Sequence, residues 1–151
     1  MDSSKELQKV MKEICETILE KSKSCFGIGI YYDNNYKRYI LIDIKSGNIG
    51  DWRGDIESLA KYENVYCKMS GMVTEADWTQ WVQSDFTPYL DVIFAAFGTN
   101  RVMFGSDWPV CQVAADYGQV VGIMQNYLSR FSEDEQHSFW GGNAIKFYSL
   151  K

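Results

Sequence analysis

Histidine is nearly missing from this chain: His137 is the only one in 151 residues. Catalytic zinc sites usually take three protein ligands, commonly with histidine among them, so one histidine in a helical stretch reads as an ordinary helix residue. Long apolar runs are missing too. None approaches the roughly 20 residues needed to cross a bilayer, and the opening "MDSSKELQKVMKE" is charged from its first residues, unlike a secretory leader. No run of lysine or arginine stands out, and 15 basic against 20 acidic residues leave a net charge of −5. That balance excludes the basic face that nucleic-acid phosphates require. The four cysteines, Cys15, Cys25, Cys67 and Cys111, are too far apart for a zinc knuckle and too few for a disulfide framework. They read as reduced thiols of a cytoplasmic protein. No phosphate loop, dinucleotide fingerprint or nucleophile elbow occurs.

What is present is an ordinary globular composition, 46% hydrophobic and 23% charged, enough for one domain with a real core. Residues 4–23 place Leu7, Val10, Met11, Ile14, Ile18 and Leu19 on one helical face. "FGIGIYYDNNYKRYILIDI" reads as a hairpin turning at Asp33-Asn34-Asn35. Residues 1–45 thus form one unit, a helix and a hairpin. From residue 46 to 151 the pattern alternates. Trp52, Ile56, Leu59 and Ala60 have helical spacing, "NVYCKMSG" is a strand, and "TEADWTQW" opens a helix with Trp78 and Trp81 on one face. That face serves as core or, less simply, as a platform for a sugar ring. "TPYLDVIFAAFG" carries Thr87 as cap, Pro88 at the first helical position and Gly98 as terminator. "RVMFG" is a second strand. Residues 113–129 give a helix with Val113, Tyr117, Val120, Val121, Met124 and Leu128 inward. Ser132 and Glu135 box the next helix, Gly141-Gly142 breaks it, and Asn143 caps a closing turn. Strands alternating with helices imply an α/β fold with parallel strands.

In such folds functional side chains gather at the carboxyl ends of strands. Two ends are polar here: Ser70-Gly71 and Ser106-Asp107. Asp107, beside Trp108, is the sharper candidate, because partial desolvation of a carboxylate raises its pKa and suits proton transfer. The plainer alternative is that Asp107 caps the following turn by accepting backbone N–H bonds. Lys68 and Cys67 are adjacent in a strand and therefore face opposite ways.

"WRGDIESLAKYENVYCKMSGMVTEADWTQW", "PYLDVIFAAFGTNRVMFGSDWPVCQVAADY" and "GGNAIKFYSL" together resemble the C-terminal part of the amidohydrolase-related family, in particular its L-fuconolactonase and L-rhamnonolactonase-like branch. The resemblance implies the closing portion of a (β/α)8 TIM-like barrel, preceded by a helix and hairpin foreign to the family. It implies a hydrolase that adds water to a lactone or related carbonyl, with Asp107 as the catalytic group and Lys68, Ser70 and Trp108 around a small lactone substrate. Some members use a divalent metal. Here no ligand set is present, and Asp107 would join one only with ligands supplied from elsewhere. The family's His-x-His strand and its mid-barrel histidine have no counterpart. The alternative is therefore a non-catalytic, truncated or chimeric half-barrel scaffold. Unpaired strand edges in a partial barrel further suggest a homo-oligomer that covers them.

Overall fold

The computed structural model describes residues 27–32, 36–41, 44, 47 and 49–151. The helix expected over 4–23 and the turn at 33–35 lie outside the described residues. Strands β1 (Gly27–Tyr32) and β2 (Tyr36–Leu41) pair antiparallel, with Tyr32 opposite Tyr36, which is the expected hairpin ladder. After them come α1 (Gly50–Ala60), β3 (Val65–Met69), a 3-10 turn (Val73–Glu75), α2 (Gln83–Phe97) and β4 (Val102–Phe104). A second 3-10 turn (Val110–Val113), α3 (Tyr117–Leu128), α4 (Glu133–His137), a π-turn (Ser138–Gly142) and α5 (Asn143–Tyr148) complete the chain.

The sheet order is β2-β1-β3-β4. β3 and β4 run parallel, with Cys67 opposite Val102, Lys68 opposite Met103 and Met69 opposite Phe104. The β3-α2-β4 crossover is the unit expected from the alternation. β1 lies against the other side of β3, antiparallel, so the hairpin extends the sheet.

Register separates the two faces. Cys67, Met69, Val102 and Phe104 share one face because opposed residues in a ladder point the same way. Against that face pack Ile56 and Leu59 of α1, Phe86, Leu90, Ile93 and Phe97 of α2, Ile123 and Met124 of α3, and Phe139, all essentially without exposure. Each contributes about 1.5–3 kcal/mol through the apolar area it removes from water. Lys68 and Met103 occupy the opposite face.

Arg101, just before β4, bonds across the base of this crossover. Its guanidinium donates to the carbonyls of Ala60 (3.0 Å), Tyr62 (2.9 Å) and Val65 (3.2 Å). Those carbonyls close α1 and open β3, and the last carbonyls of a helix need donors from outside the helix.

Several local expectations require correction. α2 begins at Gln83, not at Thr87-Pro88, because Asp85 Oδ2 accepts the Val82 N–H at 2.9 Å and starts the helix a turn earlier. Gly141-Gly142 does not break the last helix. The backbone widens into a π-turn there and continues into α5. Asn143 is no cap either: its buried amide donates to the Thr99 and Val102 carbonyls at 2.8 and 2.7 Å. Finally, Val113 and Tyr117 are exposed. Asp116 caps α3, and the buried stripe is Val120, Ile123, Met124, Tyr127 and Leu128.

Candidate functional site

The carboxyl ends of β3 and β4 lie side by side. The ladder runs to its limit, with the Gly105 N–H donating to the Met69 carbonyl at 2.8 Å. Continuing the register puts Lys68 and Ser70 of the β3 side on the face carrying Met103 and Gly105, and Asp107 follows two residues on. Lys68 and Ser70 thus lie against Gly105 at these strand ends, and Lys68 is within electrostatic reach of Asp107.

Gly105 makes that meeting close. A Cβ on Gly105 would fall inside van der Waals contact of Lys68 Cε, and 3.1 Å from both Lys68 Cγ and Ser70 Cβ. The lysine stem crosses the glycine. From there its ammonium acts electrostatically on Asp107.

Asp107 occupies the left-handed region, with φ of 57°. Only a few per cent of non-glycine residues do so, aspartate and asparagine prominent among them, and they cluster at sites where the fold imposes the conformation. The fold does so here through a tight turn. The Trp108 N–H bonds Ser106 Oγ at 3.2 Å, and the Cys111 N–H bonds the Asp107 main-chain carbonyl at 2.9 Å. Trp108-Pro109 is a cis peptide bond. The turn is therefore held by the main chain of Asp107, and among the described residues its carboxylate accepts no backbone N–H bond. Capping does not account for the side chain.

Partial burial raises the Asp107 pKa, and the nearby Lys68 charge offsets part of that rise. Beneath it Cys111 is buried, its thiol pushed up first by desolvation and then by the Asp107 charge. Cys67 is buried on the opposite face of β3, and burial raises its pKa as well. Neither thiol is placed to act as a nucleophile.

Trp108 is 63% exposed beside the carboxylate. The tryptophan pair divides. Trp81 is half-buried, donates to the Ala114 carbonyl at 2.9 Å and packs on Phe86. Trp78 is 55% exposed with its indole N–H fixed on the Thr74 carbonyl, so it is not core. The helix expected at "TEADWTQW" is instead a 3-10 turn followed by an Asx turn, in which Asp77 Oδ1 accepts from Thr79 and Gln80 N–H groups. The two 3-10 turns after β3 and β4 touch, which closes one side of the strand ends.

His137 is exposed on α4, far along the chain from this cluster, as its sequence context implied. Among the described residues no group of three or more His, Cys, Asp or Glu side chains is arranged to hold a metal. Among the described residues the charge that acts on the Asp107 carboxylate is the Lys68 ammonium, which is not a metal ligand. A groove of about 450 Å³ between α1 and α2, lined by Arg53, Glu57, Asp91, Val92, Ala95 and Ala96, shares no residue with the strand-end cluster. No helix among the described residues is long and apolar enough to cross a membrane. The sequence marks Gly105 only as a glycine closing an apolar strand, a position that often signals close approach of a neighbour.

The family model described as Amidohydrolase matches residues 41–150. An L-fucono-1,5-lactonase from Burkholderia multivorans is 42% identical over 104 residues, covering 66% of this chain and 35% of the relative. An L-fucono-1,5-lactonase from Burkholderia ambifaria is 35% identical over 114 residues, covering 71% of this chain and 38% of the relative. A crystal structure of an amidohydrolase from Burkholderia multivorans, with bound zinc, superposes with a TM-score of 0.69 at 38% identity, covering 72% of this chain and 41% of that one. The chain thus spans little more than a third of the length of the curated relatives it matches. With matching sequence over residues 41–150 and a matching fold, this chain belongs to the amidohydrolase family.

Proposed function

We propose that the chain is a lactone hydrolase in which Asp107 activates the attacking water, and that its β3-α2-β4 unit is the closing portion of a barrel. The observation that carries this reading is the convergence of Asp107 and Lys68 on adjacent parallel strand ends, with the carboxylate left available by a turn its own main chain holds. The resemblance to lactonases supports the substrate class.

The chemistry follows from the groups. Asp107 accepts a proton from water as the water oxygen bonds to the lactone carbonyl carbon, and the carbonyl π electrons move onto oxygen. Lys68, a cation within electrostatic reach of the carboxylate, steadies that oxyanion in a partly desolvated setting. When the carbonyl re-forms, the ring C–O bond breaks and the proton held by Asp107 passes to the departing alkoxide. Burial supports the role, since a carboxylate with a raised pKa is a stronger base than one in water. Ser70 and Trp108 flank the cluster, one as a hydroxyl for hydrogen bonding and the other as an exposed ring for the apolar face of a sugar.

The test is hydrolysis of L-fucono-1,5-lactone by the purified protein and its Asp107→Asn variant. We expect turnover above the buffer rate for the first and loss of that excess for the second; equal rates overturn the assignment. A second reading is a non-catalytic scaffold, in which no group of three or more metal-ligating side chains gathers among the described residues. No turnover by the unaltered protein selects it. Self-association that covers strand edges fits either reading, and sedimentation velocity decides it.

A further inference from the structure

The glycine between Lys68 and Ser70 carries more than a steric coincidence. Its φ does not lie in the left-handed region that would call for glycine on backbone grounds. Its ladder bond to Met69 is regular. What distinguishes the position is the lysine stem lying where a Cβ would be. A methyl there would overlap Lys68 Cε, so the outer part of the lysine side chain would have to shift. Ser70 Cβ, 3.1 Å from the same point, bounds that space as well.

We propose that Gly105 is a positioning residue: its missing side chain is the seat that holds Lys68 across β4 and sets the reach of the ammonium to Asp107. The inference rests on the lactonase reading for its catalytic consequence, but the seat itself is a property of the two strands. Removing the seat displaces a charged group by an ångström or more, and misplacement on that scale costs on the order of 10²-fold in rate.

The experiment compares the unaltered protein with Gly105→Ala, Lys68→Ala and the double variant, using three readouts. The first is the rate at which Lys68 is acylated by acetic anhydride, mapped by mass spectrometry. Displacement from the seat should expose the amine and speed its labelling several-fold in Gly105→Ala, and an unchanged rate overturns the proposal. The second is thermal stability. Gly105→Ala should be destabilised, and much of that loss should be relieved in the double variant, where the stem is gone. Equal losses in both backgrounds overturn the proposal even if the single variant folds poorly. The third is kcat for L-fucono-1,5-lactone, which should fall in Gly105→Ala and fall no further when added to Lys68→Ala; additive losses overturn the catalytic consequence. If the unaltered protein hydrolyses no lactone, the lactonase reading fails, while labelling and stability still decide whether Gly105 seats Lys68.

Discussion

The Asn143 side-chain amide donates to the Val102 carbonyl oxygen at 2.7 Å, bonding the last helix of the chain directly to strand β4. The same nitrogen reaches the Thr99 carbonyl at 2.8 Å, and the residue is only 4% exposed. Asn143→Ala leaves two carbonyls with no donor in a largely dry place. Each unsatisfied buried group costs about 1–3 kcal/mol, so we expect a loss of about 2–5 kcal/mol in urea unfolding. Asn143→Asp should lose at least as much, because an ionised carboxylate offers no donor.

Arg101, next to Val102 at the same end of β4, makes a parallel case. Replacing it by methionine keeps much of its packing near Phe97 but removes the donors to Ala60, Tyr62 and Val65. We expect destabilisation of about 2–4 kcal/mol, in the range for charged donors to buried carbonyls. Arg101→Lys should recover only part, since three carbonyls in a spread arrangement need the planar fork of a guanidinium. Denaturant midpoints of the two variants check both statements.

Asp107 should weaken the fold at neutral pH. Its pKa is raised in the folded state by burial, so the folded protein holds the proton more tightly than the unfolded chain. The stability tied to that proton is fully present below the unfolded-state pKa and is lost as pH rises through the folded-state value. Asp107→Asn, which carries no charge and tolerates the left-handed conformation at φ 57°, should therefore be more stable than the unaltered protein at pH 7. The gap should shrink as pH falls toward 4 and below. Unfolding free energies of both proteins across that range test the sign; a gap that widens on acidification contradicts it.

Asp91 behaves oppositely. Its Oδ1 accepts from Arg130 at 2.6 Å and from Tyr127 at 2.8 Å, and the Arg130 bond is the main cause holding its pKa below the ordinary value. The stability from this group is present above the unfolded-state pKa and disappears as pH falls through the folded-state one. Both members of the ion pair are about half exposed, so Asp91→Asn should cost about 1 kcal/mol or less at pH 7. That cost should vanish in acid, as a pH series of melting curves would show.

Much of the outline was readable from residue patterns, and so was part of the candidate site. β3 and β4 stand out as short apolar runs stopped by polar residues, α1 by its Trp52-Ile56-Leu59 spacing, and the strand-end residues Lys68, Ser70 and Asp107 by their place after those runs. The misreadings share one cause: local punctuation overruled by packing. Pro88 looked like a first helical residue, yet it sits in the second turn. There its missing N–H deprives only the carbonyl of exposed Ser84, while Phe86 gains full burial. Gly141-Gly142 looked like a stop, but Phe139 and Asn143 on either side are anchored in the core and on β4, so the helix passes through. Trp78 and Trp81 have helical spacing with no helix beneath them. Gly105 could not be interpreted without knowing which neighbour lies over it, a question of pairing between distant segments.

The closing helix has a consequence for solubility. Phe139 and Trp140 meet Phe104 on one face of the sheet, Phe147 meets Tyr66, which alternation points to the other, and Asn143 between them occupies a β4 carbonyl. The chain's end thus wraps the outer strand like a hem. An incoming strand from another molecule finds an acceptor already taken at the start of β4, so this border is a poor template for fibril growth.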